Sequence, residues 1–219
     1  MEETNFVLLW KEQYEKIDQS LAINKQLLQE IIGQKAQKSL RSLIRFKVWG
    51  IIAAVTYLLL LGVALFYSIS HYSAAANYFI ISIAAIFLIN VKALYDYIKH
   101  LAWVNSIGYD GSITEIQRKL TKLQLSIFQH TRVMFLQLPF WTTFYLSSKW
   151  FPYAVSWEYV AFQVFFTASF AYLAYWFYKN LTLKNMNKKW VRTFINGSGG
   201  KQVLRALEFY KEIEDFRKE

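Results

Sequence analysis

Between Lys47 and Lys92 the chain carries 44 consecutive residues without an Asp, Glu, Lys or Arg. As one helix they would extend roughly 66 Å at ~1.5 Å per residue, about twice the ~30 Å hydrocarbon core of a bilayer. Inside lipid every backbone amide must be paired, so the pattern predicts two spans joined by a turn. The small, polar and aromatic run Ser68-Ile69-Ser70-His71-Tyr72-Ser73 supplies that turn. The second half repeats the theme: sixteen uncharged residues from Val133 to Ser148, then twenty from Tyr159 to Tyr178. These predict a third span over 132–149 and a fourth over 158–178, joined through Lys149-Trp150-Phe151-Pro152-Tyr153. Pro139 falls inside the third span, with Thr142 and Thr143 one turn on to supply hydrogen-bond partners.

Outside the spans the pattern changes to amphipathic stripes. Trp10, Tyr14, Ile17, Leu21, Asn24, Leu28 and Ile31 alternate at spacings of four and three, a heptad seam with one polar Asn. Gly33 and the basic stretch Gln34-Lys35-Ala36-Gln37-Lys38 weaken that seam before the bilayer. Three heptads are marginal as an independent coiled coil, so the stripe is expected to pack on the protein's own helices rather than on another chain. Gly108-Tyr109-Asp110-Gly111 reads as a turn, and Ser112-Ile113-Thr114-Glu115 as a capping box. Ile113, Ile116, Leu120, Leu123 and Ile127 follow as a second stripe. The basic, aromatic run 184–194 has the composition of a segment lying on a membrane face, and 196–200, Asn-Gly-Ser-Gly-Gly, reads as a flexible joint. Val203, Ala206, Leu207, Tyr210, Ile213 and Phe216 form a third apolar face.

The expected fold is therefore an all-α polytopic membrane protein: two transmembrane hairpins, four spans in all, above a bundle of amphipathic helices. Its segments are 1–47, an amphipathic helix; 48–98, the first hairpin; 99–131, a loop and helix; 132–178, the second hairpin; and 179–219, a basic stretch, joint and final helix.

Charge gives this arrangement a direction. Of 25 Lys and Arg residues, eight lie in 1–47, six in 92–132 and ten in 179–219, leaving Lys149 alone in an outer loop. The positive-inside rule then places both termini and the middle loop in the cytoplasm. The formal net charge of +10 is accounted for by membrane exits facing anionic lipid, so lipids are expected partners and nucleic acid is not. The acidic start Met1-Glu2-Glu3-Thr4 does not read as a cleavable signal peptide. With no cysteine, disulfides and thiol chemistry are excluded.

Candidate chemistry is sparse. His71 is expected outside, and His100 and His130 inside, thirty residues apart without metal-ligand spacing, so all three read as interfacial histidines. Gly199-Gly200-Lys201-Gln202 lacks the first glycine and the hydroxyl of a phosphate-binding loop. Asn180-Leu181-Thr182 and Asn196-Gly197-Ser198 fit a glycosylation pattern but fall on the predicted cytoplasmic side. No catalytic constellation and no cofactor motif emerges, and a non-enzymatic protein is expected. It would bind a cytoplasmic partner, or another copy of itself, through Trp10, Tyr14, Ile17, Leu21, Asn24 and Leu28. The competing reading is a small transporter, channel subunit or lipid-handling protein whose path is lined by Asn90, Gln137, Thr143 and Gln163.

The opening segments 9–13 (Leu-Trp-Lys-Glu-Gln), 21–28 (Leu-Ala-Ile-Asn-Lys-Gln-Leu-Leu) and 38–46 (Lys-Ser-Leu-Arg-Ser-Leu-Ile-Arg-Phe), with the closing run 206–216, carry a resemblance. Together with the four predicted spans, the chain resembles uncharacterised bacterial inner-membrane proteins often encoded beside extracytoplasmic-function sigma factors. The resemblance implies a multi-pass protein of the cytoplasmic membrane with a regulatory role, such as holding a sigma factor there. The chain lacks the His/Cys pattern of zinc-dependent anti-sigma domains, so such a role would rest on helix packing alone.

Overall fold

The computed structural model describes residues 2–107 and 113–218, with side chains at 2–12, 15, 22, 25, 28, 29 and 216–218 outside the description. The turn at 108–111, Ser112 of the capping box, and the side chains of Trp10, Leu28 and Phe216 thus lie outside the described residues. Every described element is helical: α1 (Glu2–Ser70), α2 (Asn77–Asn105), α3 (Ile113–Met134), α4 (Trp157–Asn180), α5 (Lys189–Gly197) and α6 (Gly200–Lys218), with short 3-10 helices between. Three helical stretches are long and apolar enough to cross a membrane: Glu30–Ser70, Ala74–Asn105 and Trp157–Asn180.

No proline interrupts α1, so its 69 residues run on for about 100 Å. It continues through Ser70, and the reversal falls at His71–Ser73, followed by the 3-10 turn Ala74–Ala76, in which the Ala75 amide donates to the Ser73 hydroxyl. The polar run therefore turns the chain about three residues later than the sequence predicts. α2 then returns alongside α1, with Gly62 against Phe87 and Gly50 against Tyr97. Leu61, Ile83 and Ile86 form the shared core, extended by Phe140 and Phe144. The opposite faces stay bare: Trp49, Leu59, Phe66, Ile81, Leu88 and Phe165 are exposed. Apolar surface on that scale is unfavourable in water and suits a lipid solvent.

The third expected span is not an α-helix. α3 ends at Met134, and Phe135–Thr142 forms a 3-10 helix that gives way to turns before α4. Pro139 removes one amide donor and clashes with the preceding turn, so an α-helix here would be broken. The segment still runs beside α2. Gln137 meets Asn90, Thr143 meets Ser82, and the Ser148 amide donates to Ala75 O at 3.3 Å. From Gln137 to Ser148 eleven positions, the end of the 3-10 helix and the turns after it, therefore cover the same stretch as the fifteen from Ala75 to Asn90.

Below the apolar half, Ile32, Ala36, Leu40 and Leu43 of α1 pack with Ile116, Leu120, Leu123 and Ile127 of α3 and Val203, Ala206, Tyr210 and Ile213 of α6. The α3 and α6 stripes are buried at these positions, with Ile113 and Leu207 partly buried beside them. α1 differs. Its packed face begins at Ile32 and runs on through the basic stretch expected to weaken it, whereas Ile17, Leu21 and Ile31 are 56%, 60% and 50% exposed. The expectation that the seam packs internally is thus overturned: α6 docks along 32–43, beyond the seam. The basic segment after α4 is also less detached than expected. Val191 and Ile195 of α5 are buried with Phe128 and Leu181.

Candidate functional site

Three groups of residues could carry function, and the structure treats each differently. The α1 seam leaves Tyr14, Ile17, Leu21 and Asn24 exposed along the helix beyond the bundle, while Trp10 and Leu28 lie outside the described side chains.

The polar residues of the apolar half are drawn together. Asn90 Nδ2 donates to Ile86 O at 2.8 Å and to Gln137 Oε1 at 3.1 Å. The Ser82 and Thr143 hydroxyls are 2.8 Å apart. Gln163 Nε2 donates to Thr142 O at 2.6 Å and Thr167 Oγ1 at 3.2 Å, while Tyr145 donates to Gln163 Oε1 at 2.9 Å. Thr142 in turn donates to Pro139 O at 2.7 Å, and its hydroxyl lies 3.0 Å from that of Thr167. The carbonyls of Pro139 and Thr142, in the irregular stretch, are thereby satisfied by side chains, as buried backbone groups require. Asn90, Gln137, Thr143 and Gln163 are therefore occupied in holding the irregular segment between α2 and α4.

The third group lies where the apolar half meets the bundle, and sequence reasoning missed most of it. Lys47 of α1, Asp96 and His100 of α2, and Ser126, His130 and Thr131 of α3 are all buried. Lys47, the charge that bounds the uncharged run, has no solvent-exposed surface. Its Nζ donates to Ser198 O at 2.9 Å and sits 4.1 Å from the Tyr97 ring centroid. Gly50 makes room for that ring, since a Cβ there would lie 2.5 Å from it. The carbonyl comes from a turn held by Gly199 at φ +91°, where a Cβ would meet Leu43 at 2.6 Å. A left-handed backbone and a close approach both demand glycine. The 196–200 segment is thus a packed turn rather than a flexible joint, and Thr131 fastens it further by donating to Ser198 Oγ at 2.9 Å.

Asp96 accepts from Lys92 one turn before it and from His130 Nδ1 at 3.2 Å. The His130 ring lies 4.9 Å from Tyr97 and 6.0 Å from His100. His100 Nε2 is 2.9 Å from Ser126 Oγ, and its buried Nδ1 has no hydrogen-bond partner. The expected interfacial histidines resolve into two kinds, His71 exposed and bonded to Tyr67 O, the others buried face to edge. Burial lowers the His130 pKa below the ordinary histidine value, and nearby Lys47 and Lys92 act in the same direction. They outweigh the Asp96 hydrogen bond and charge. These parts do not form a hydrolytic triad: the Ser126–His100 pair lacks an orienting carboxylate, and the Asp96–His130 pair lacks a nucleophile. Among the described residues no three His, Cys, Asp or Glu side chains are grouped to hold a metal ion. What the arrangement does is join four segments at one buried point. The sequence signal for it is the glycine cluster 197–200, whose composition alone reads as slack.

No protein-family model, no curated protein and no solved structure matches the chain. Its class therefore rests on the molecule itself: among the described residues it is all-helical, with three helices long and apolar enough to cross a membrane.

Proposed function

We propose that this is a non-enzymatic protein of the bacterial inner membrane that crosses it four times, with the bundle and both termini in the cytoplasm. Its α1 seam binds a helix of another chain. The observation that carries this reading is the bare heptad face: Ile17, Leu21 and Ile31 remain at least half exposed on a helix that extends past every segment packed on it. A four-three apolar spacing fits another helix better than a flat surface. A second copy of the chain can supply that helix, and so can a soluble regulator of the sigma-factor kind that the resemblance implies. The segment 135–148, bonded to Asn90 near one end and to Ala75 at the other, supplies the third crossing in this reading.

The absence of cysteine makes the test direct. Leu21→Cys and Asn24→Cys variants in native membranes are oxidised or treated with a short thiol crosslinker. A product of twice the chain mass identifies a second copy, and a heavier mixed product identifies another protein. A chain that stays monomeric and unlinked at both positions would defeat the proposal. Reporter fusions at Ser73 and Phe151 should appear outside and those at Gly111 and Glu219 inside. An inside signal at Phe151 would remove the third and fourth crossings.

A further inference from the structure

Where α6 docks on α1, the two helices leave a groove with a volume of about 580 Å³. Lys35, Lys38 and Arg45 line one side, Lys201 and Arg205 the other, with Glu208 the one acid among the lining residues. The cations recur at helical spacing, so both rows face the same space along about 15 Å of α1. Among the described residues no ion pair engages these five side chains. Five cations against one carboxylate around a concavity repel one another, and a bound polyanion relieves that cost.

We infer that the groove between α1 and α6 binds the phosphate of an anionic phospholipid headgroup. Position argues for lipid over a soluble phosphate. Arg45 closes the groove three residues before Val48, where the uncharged run begins, and Phe46 and Trp49 are exposed beside it. Arg45 and Arg205 offer planar donor pairs suited to a phosphodiester, and the lysines supply point charges. The Ser42 hydroxyl and the Gln202 amide also line the groove, so a headgroup bearing hydroxyls, such as glycerol, finds polar partners next to its phosphate. Basic pockets beside transmembrane helices on the cytoplasmic side recognise phosphorylated headgroups in this way. The inference rests on the reading that the run from Val48 lies in the bilayer with the bundle inside, which the reporter fusions test separately. Failure of the groove leaves the fusion pattern unchanged.

The test uses the full chain in neutral detergent, titrated with short-chain phosphatidylglycerol, short-chain phosphatidylcholine or sodium pyrophosphate while thermal unfolding is followed. Phosphatidylglycerol should raise the melting temperature saturably and phosphatidylcholine should not. A Lys38→Gln/Arg45→Gln/Arg205→Gln variant should need at least about tenfold more phosphatidylglycerol for the same rise. A Lys184→Gln/Lys188→Gln/Arg192→Gln variant, losing equal charge elsewhere, should match the parent. Arg45→Gln alone gives the same direction with less perturbation, should the triple variant melt early without lipid. Equal weakening in both triple variants would mean diffuse attraction and overturn the site. So would a shift with pyrophosphate and none with phosphatidylglycerol, which would assign the groove to a soluble phosphate.

Discussion

Two buried polar layers cross this molecule, and they are built on opposite principles. The upper one, around Asn90, Gln137, Thr142 and Gln163, contains no charge and satisfies itself almost atom for atom. The lower one, around Lys47, Asp96, His100 and His130, buries charges and leaves His100 Nδ1 without a partner. The upper layer ties down a local irregularity, with side chains satisfying the carbonyls of Pro139 and Thr142. The lower layer links α1, α2, α3 and the glycine turn, and it accepts a desolvation cost of several kcal/mol per ion to do so. A neutral hydrogen bond can be replaced at modest cost, whereas a buried ion stripped of its partner cannot.

That contrast sets the order of expected effects. Asp96→Leu should be the most damaging, because it strips the carboxylate from His130 and Lys92 and leaves the buried Lys47 charge unopposed. A loss of about 3–5 kcal/mol in thermal unfolding of the purified protein is expected. Lys47→Met removes the ion together with its desolvation cost and should lie much nearer to the parent. If Asp96→Leu proves no worse than a substitution in the upper layer, the two layers are not different in kind.

Acid should separate the layers next. The His130 pKa is lowered in the fold, so the folded state binds fewer protons than the unfolded chain below the ordinary histidine value of ~6.5. The stability it contributes is present above that pH and is lost as pH falls through the folded pKa. Facing His130 are Asp96, Tyr97 and His100 from α2, with Lys47 of α1 and Lys92 of α2 acting electrostatically. Melting temperatures measured from pH 8 down to pH 5 should therefore decline, and His130→Gln should flatten the slope while Gln163→Leu keeps it. An unchanged slope in His130→Gln would remove the histidine from the account.

Within the upper layer the effects shrink. Gln163→Leu breaks contacts to Thr142, Thr167 and Tyr145 and should cost roughly 1–2 kcal/mol, while Asn90→Leu should cost about 0.6 kcal/mol. Unfolding in detergent ranks the pair, and a reversed order would mean that the 3-10 segment is held mainly from α2. Smallest for the fold is Asn24→Leu, on exposed surface, expected within about 0.5 kcal/mol of the parent. Its effect should appear in association instead. If two copies pair through the seam, the Leu21→Cys crosslink should strengthen once the polar position is apolar.

The stripes of α3 and α6 were legible because burial repeats every 3.6 residues when one helix face meets a core. Ile116, Leu120, Leu123 and Ile127 needed no other information. The same rule misled on α1. It finds an apolar face but says nothing of what covers it, and α6 covers 32–43 rather than 14–31. Pro139 was legible as a disturbance, and Thr142 as a repairing hydroxyl. The identity of Gln163 as the donor to Thr142 was not, because that contact depends on how α4 lies against the 3-10 segment.

By itself the sequence determined the class of molecule: long uncharged runs and amphipathic stripes are solvent statements, made by each segment against water or lipid without reference to the rest. Only the tertiary structure decided the buried ionic joint. Lys47 and Ser198 stand 151 positions apart. No local pattern distinguishes a lysine destined for an anionic headgroup from one sealed beneath Tyr97, because the two differ only in which distant backbone carbonyl and which aromatic ring arrive beside them.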